Sequence, residues 1–341
     1  MKPAYTALLL LFGFVACREP AASSVDAAVD AAPLADARTM HGCNVNDPRS
    51  AAPEVFVGPV GYGPKFRSLI DGATTSIDLQ MYLFTVSDLS TALINAKQRG
   101  VAVRVLLDPD HAGNTSTRTK LMSAGVSVQN APAGFEFAHA KYMLVDGKMA
   151  VVSSGNFNLG ALESERNYAF ITRDAEDLAD LAAIFAADWD GTAISQTCTR
   201  LVVSPYNSRP RLLAHINSAQ TKLDLELFYM TDGDVVAAVK LAKNRGVTVR
   251  AILTSPTELS GNAATIAMLK GLGVPVKVAA NFDLHAKLII ADGVAFIGSE
   301  NMSYTSLTKN REVGALIFEP SQAQIVQAQF DRDFASEPDA P

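Results

Sequence analysis

Ala96-Lys97-Gln98-Arg99-Gly100-Val101-Ala102-Val103-Arg104-Val105-Leu106-Leu107 returns 146 positions later as Ala242-Lys243-Asn244-Arg245-Gly246-Val247-Thr248-Val249-Arg250-Ala251-Ile252-Leu253. In each copy a glycine closes a helical pattern and an apolar run with the composition of a buried strand follows it. At the same offset, residues 70–82 (IDGATTSIDLQMY) pair with residues 216–228 (INSAQTKLDLELF). Two matches at one offset mean a duplicated unit.

Outward from these runs the chain alternates. In the first copy the pattern predicts a strand over 76–84, a helix over 89–99, a strand over 101–107, a helix over 117–123 and a strand over 126–130. The second copy continues likewise, with a helix over 264–272 and a strand over 274–279. This is an α/β pattern built twice, and helix-strand alternation predicts sheets covered by helices on both faces. Two units of about 150 residues fit ordinary domain sizes. The expected division is 1–16 leader, 17–45 tether, 46–200 first repeat and 201–341 second repeat.

The 341 residues are 48% hydrophobic and 19% charged, which excludes a disordered tail, a collagen or a coiled coil. A formal charge of −6 is not the footprint of a dedicated nucleic-acid binder. Three cysteines exclude a disulfide scaffold and a Cys-only zinc site.

Residues 1–17 carry one lysine, then an apolar run too short to span a bilayer, which is the pattern of a secretory signal. Its ending, Phe14-Val15-Ala16-Cys17, resembles the bacterial lipobox, which implies cleavage and lipidation at Cys17. Arg18 after it resembles lipoproteins exported to the outer membrane of a Gram-negative cell. The Ala, Ser, Asp and Pro that follow to about Met40 read as a tether. Cys43 and Cys198 remain, either as a disulfide or as two free thiols.

The chemistry also comes twice. His139-Ala140-Lys141 and His285-Ala286-Lys287 each lead to an Asp-Gly turn, at Asp146 and Asp292. On a strand, residues two apart share a face, so each imidazole lies beside an ammonium. Downstream stand Ser153-Ser154-Gly155-Asn156 and Gly298-Ser299-Glu300-Asn301, where small residues let donors approach an anion. Of five histidines only these two have such a setting. His41, His111 and His215 read as tether, loop and helix-surface residues.

These residues resemble the His-x-Lys-x4-Asp signature of the phospholipase D superfamily, with its Gly-Ser-x-Asn continuation, over roughly residues 53 to 334. The resemblance implies two tandem repeats, each a mixed β-sheet flanked by helices, related by a pseudo-two-fold axis with one shared active site and neither metal nor other cofactor. It implies a phosphohistidine intermediate with His139 as nucleophile and His285 as acid, then base. Lys141, Lys287, Asn156 and Asn301 would hold the non-bridging oxygens where charge develops. A supporting set follows at Ser154, Ser299, Asp146 and Asp292, the two aspartates reading as structural. The family's histidine-orienting Glu stands at Glu312 in Asn310-Arg311-Glu312, but Glu165-Arg166-Asn167 puts Asn167 in that place, with Asn and Glu exchanged.

Asp108-Pro109-Asp110-His111 looks metal-like but reads as a solvated acidic turn. Tyr82, Phe84, Phe228 and Tyr229 close strands near the expected site and read first as core. The leading expectation is a monomeric, lipid-anchored envelope enzyme that hydrolyses phospholipids to phosphatidic acid and free headgroup. Its partners would be phospholipid and, through Cys17, the membrane. Alternatives are an endonuclease, for which nucleic acid is the partner, a cardiolipin-synthase-like transphosphatidylase, and a non-catalytic phosphate-binding protein. A basic groove favours the nuclease, an apolar rim the lipid enzyme.

Overall fold

The computed structural model describes residue 46, residues 48–194 and residues 199–341. The leader, Cys17, His41, the tether, Cys43 and Cys198 lie outside the described residues.

The first half runs β1 (Glu54–Val57), α1 (Tyr62–Gly72), β2 (Ser76–Met81), α2 (Ser87–Gln98), β3 (Ala102–Leu107), α3 (Asn114–Ser123), β4 (Ser127–Asn130), β5 (Tyr142–Val145), β6 (Met149–Ser153), α4 (Leu159–Glu163), β7 (Glu165–Arg166), β8 (Tyr168–Thr172) and α5 (Ala175–Asp190). The second runs β9 (Leu201–Ser204), α6 (Ser208–Ser218), β10 (Lys222–Leu227), α7 (Gly233–Asn244), β11 (Thr248–Thr254), α8 (Ala263–Gly271), β12 (Val276–Ala279), β13 (Asp283–Leu284), β14 (Lys287–Ala291), β15 (Val294–Gly298), α9 (Tyr304–Thr308), β16 (Glu312–Ile317) and α10 (Pro320–Ser336). The helices and strands expected from the repeats all form, within a few residues at their ends.

Each half builds a seven-stranded sheet, in the order β1-β8-β6-β5-β2-β3-β4 and, with the same topology, β9-β16-β15-β14-β10-β11-β12. The sheets are mixed: β2, β3 and β4 run parallel, the other pairs antiparallel. Gly100 and Gly246 take positive φ where the two helices stop.

On β2 the odd residues Ile77 and Leu79 face outward under Phe66, Ile70 and Leu93 of the first two helices. The inner faces differ from the expectation of helices on both sides. Tyr142 and Leu144 of one sheet share a core with Leu288 and Ile290 of the other, joined by Phe185 of α5 and Phe330 of α10. Two sheets that meet across a common core need fewer helices on that side.

Ion pairs cross between the halves. Arg166 binds Asp333 of α10 at 2.7 Å, and Arg311 binds Asp188 of α5 at 2.8 Å. Backbone crosses too, since β13 pairs with β7 in parallel and Ala138 bridges Arg311. Each histidine segment is thereby laid against the other half.

Candidate active site

β2 and β3 end, and β5 begins, at one edge of the first sheet, which puts His139 and Lys141 at that edge with Asn156 just beyond β6. The second half does the same with His285, Lys287 and Asn301. All six side chains are buried. Each lysine turns back onto its own strand, Lys141 Nζ donating to His139 O at 2.5 Å and Lys287 Nζ to His285 O at 2.6 Å. The side-chain oxygens of Asn156 and Asn301 are buried without a hydrogen-bond partner.

The histidines are oriented from across the interface. His139 Nδ1 donates to Glu312 at 2.8 Å, and His285 Nδ1 donates to Asn167 Oδ1 at 3.2 Å. With Nδ1–H so engaged, Nε2 carries the free lone pair in both rings. The orienting groups are themselves held. Glu312 accepts from Ser306 Oγ at 2.6 Å and Asn310 Nδ2 at 2.9 Å. Asn167 Nδ2 donates to Glu165 at 3.1 Å while Ser154 Oγ donates to Asn167 Oδ1 at 2.8 Å, which fixes the amide with its oxygen toward His285. The exchange seen in sequence thus has a geometric meaning. In the second half Asn supports a Glu that touches imidazole; in the first, Glu165 supports the Asn that does, its carboxylate 3.7 Å from His285 Nδ1.

Charges from both motifs act on each histidine. Burial, then Lys287, Lys141 and His139, push His285 well below the ordinary histidine value. Burial drives His139 down to about 4, with Glu312 opposing it and both lysines adding to it. Burial alone would raise the Glu312 carboxyl, yet His139 and Lys141 hold it below its usual value. Nearby Glu300 stands where the first half has Gly155. Burial and then Glu312 push its carboxyl well above the usual range, and Ser208 Oγ donates to it at 3.1 Å.

Tyr82 and Phe228 occupy equivalent places as walls of the site. Their ring centroids lie 4.6 Å from His139 and 5.1 Å from His285, with Lys141 and Lys287 each 5.2 Å from the matching ring. Phe84 is core, whereas Tyr229 packs beside Gly261, where an added Cβ would meet its ring at 2.5 Å.

The aspartates of the signature stand at the opposite end of β5 and β14. Asp146 and Asp292 have φ of 56° and 47° and cap the starts of β2 and β10, Asp146 accepting from Ser76 N at 2.9 Å and Asp292 from Lys222 N at 2.8 Å. Burial works against them, but these donors hold both carboxyls below the usual range, Asp292 at about 2. The serines also brace rather than face a ligand, Ser299 Oγ accepting from Val313 N at 3.1 Å.

Two readings need correction. His215 is a buried residue of α6, not a surface one, its Nε2 lying 3.4 Å from Ile289 O. Asp108 is not a solvated turn residue. It is buried and accepts from the backbone of Asp110, His111 and Ala138, tying β3 to the His139 segment. Among the described residues no three His, Cys, Asp or Glu side chains gather as a metal-binding group, so the metal-like appearance of 108–111 ends there. Ser306 had no sequence signal of its own, since Ala161 stands at the equivalent place, whereas Asn310 was visible only through its exchange with Glu165.

The family model described as "Cardiolipin synthase, PLD-like domain" matches residues 66–189 and again 212–334. The chain belongs to the phospholipase D superfamily. Among superfamily relatives, the mitochondrial cardiolipin hydrolase of Danio rerio is 29% identical over 39% of this chain and 61% of its own length. The phospholipase D of Rickettsia felis is 30% identical over 41% of this chain and 68% of its own. The cardiolipin synthase of Geobacillus sp. is 24% identical over 77% of this chain and 62% of its own. The chain thus spans about three fifths of the first of these. In fold it is similar to the phosphatidylserine synthase of Haemophilus influenzae, with a TM-score of 0.67 at 13% identity over 85% of this chain and 88% of that one.

Proposed function

We propose that this superfamily member is a phosphodiesterase that cleaves phospholipids through a phosphohistidine. The observation that carries the reading is the pair of cross-half bonds, His139 to Glu312 and His285 to Asn167, which engage Nδ1 of each ring and leave each Nε2 for chemistry, with Lys141 and Lys287 buried two residues further on. The neutral Nε2 of His139 attacks phosphorus while the bond to the leaving oxygen breaks, and protonated His285 gives that oxygen its proton. His285, now neutral, takes a proton from water, whose oxygen attacks phosphorus and expels His139. The Glu312 carboxylate suits His139 to the covalent role, since the N-phosphoryl imidazolium is cationic. An amide partner leaves His285 the stronger acid. The lysines neutralise the non-bridging oxygens, to which the asparagine Nδ2–H groups donate.

The test is mass spectrometry of mixed phospholipid vesicles incubated with the protein in chelator. Phosphatidic acid is expected from the parent and none from His139→Ala or His285→Ala; unchanged lipids with folded protein would overturn the reading. A second reading, transfer to an alcohol, has support in relatives that match across both halves and are named cardiolipin synthases. Glycerol in the same assay separates them, diverting product to phosphatidylglycerol if transfer dominates. The proposed setting is the cell envelope, with Cys17 as lipid anchor.

A further inference from the structure

Most exposed large apolar side chains of the described residues are not scattered. Val60, Leu159, Tyr206 and Tyr304 are 91%, 61%, 49% and 55% exposed, while Met122, Leu241 and Ile325 stand singly on helices elsewhere. The four are two equivalent pairs. Val60 matches Tyr206 in the turn after the first strand of each half, and Leu159 matches Tyr304 at the start of the helix after the site asparagine.

Both pairs lie on the sheet edge that carries the histidines. Val60 sits in the turn whose Gly58 N donates to Asn167 O at 2.8 Å, and Asn167 holds His285. Tyr206 follows Ser204, whose O accepts from Arg311 at 3.1 Å and whose Oγ donates to Ser306 O, and Ser306 donates to Glu312. The rim is continuous with the groups that orient each imidazole.

The two corners differ in character. At the second, exposed Lys309 stands over the Tyr304 ring at 5.9 Å, while half-buried Arg209, 5.6 Å from the same ring, is paired with Asp232 and Asp234 at 3.1 and 3.0 Å. Tyrosine beside a lysine settles at headgroup depth, the ring in the interface and the ammonium among the phosphates. The first corner offers aliphatic Val60 and Leu159 with exposed Glu163 and Asp283 close by. Aliphatics cannot stack on bases but gain by leaving water for acyl chains, so this rim suits a phospholipid bilayer held by apolar insertion rather than by charge.

We propose that Val60, Leu159, Tyr206 and Tyr304 seat the active-site edge on a phospholipid bilayer, the first pair inserting among acyl chains and the second lying at the headgroups. This rests on the phospholipid reading. Four small contacts along the edge that carries the histidines bring them to the level of the phosphates, so substrate need not leave the membrane.

The test uses the full chain carrying Cys17→Ser, so that no lipid anchor masks the rim, with Val60→Ser/Leu159→Ser and Tyr206→Ser/Tyr304→Ser as two variants. Turnover is measured on phosphatidylethanolamine–phosphatidylglycerol vesicles, on soluble bis(p-nitrophenyl) phosphate and on DNA. Each variant is expected to lose about tenfold on vesicles and nothing on the soluble diester. Unchanged vesicle turnover, equal loss on both diesters, or a loss confined to DNA would overturn the proposal. If the parent cleaves neither diester, the catalytic reading fails, and vesicle flotation of parent against variants decides the rim.

Discussion

Glu312 and His139 stand 173 positions apart and belong to different halves, yet their side chains are bonded at 2.8 Å in a fully buried setting. Burial keeps His139 neutral down to about pH 4 and pushes His285 well below the ordinary histidine value. An anionic phosphate between them reverses part of that penalty and raises both values. Binding of vanadate or inorganic phosphate near pH 6 is therefore expected to take up about one proton. Calorimetry in buffers of different ionisation enthalpy measures it; Glu312→Gln is expected to weaken the uptake and lower kcat by about a hundredfold.

The Glu165–Asn167 exchange gives a pH test. Glu165→Asn/Asn167→Glu rebuilds in the first half the arrangement of Asn310 and Glu312. A carboxylate on His285 favours its charged form, so the limb of the kcat/KM profile governed by that proton moves to higher pH. An unmoved profile would mean that His285 does not carry the proton to the leaving group.

Gly155 has no room for a side chain, because a Cβ there would lie 2.8 Å from the Asn167 amide. Gly155→Ala is expected to displace that amide from His285 and lower kcat by about tenfold, with a melting temperature close to the parent's. Loss of stability with kcat intact would show the close approach to be a packing matter only.

Arg311 is buried with Asp188 across the halves. Arg311→Met strands a buried carboxylate whose pKa burial already raises, with Arg311 opposing. The expected loss is about 3 to 5 kcal/mol in urea denaturation.

His215 is held neutral by burial, its value pushed down to about 4, and Leu69 stands at the equivalent place in the first half. Its folded value lies below the unfolded one of about 6.5, so the unfolded chain binds protons first and stability falls as pH drops from about 6.5 toward 4. His215→Leu is expected to lose about 2 kcal/mol less than the parent between about pH 7 and pH 5, read by urea denaturation at both.

Much of this was legible because the repeats report twice. Gly100 with Gly246 and His139 with His285 gave element ends and site in register. What stayed hidden depends on side-chain direction across the interface. His215 reads as surface because α6 looks amphipathic either way round, and only its packing on β14 decides. Asp108 looks like a turn acid until Ala138, brought back by thirty residues of intervening chain, supplies its third donor. The shared inner core, with fewer helices than expected, follows from how the two sheets face each other, which no single repeat encodes.

The exchange of Glu165 and Asn167 against Asn310 and Glu312 also bears on how such a site can evolve. Two identical subunits around one site would carry every substitution at both histidines, and neither could become the better acid without its twin following. Fusion into one chain ends that constraint. Each half can then mutate alone, and the carboxylate touching one imidazole but not the other is inherited specialisation that a symmetric pair could never fix.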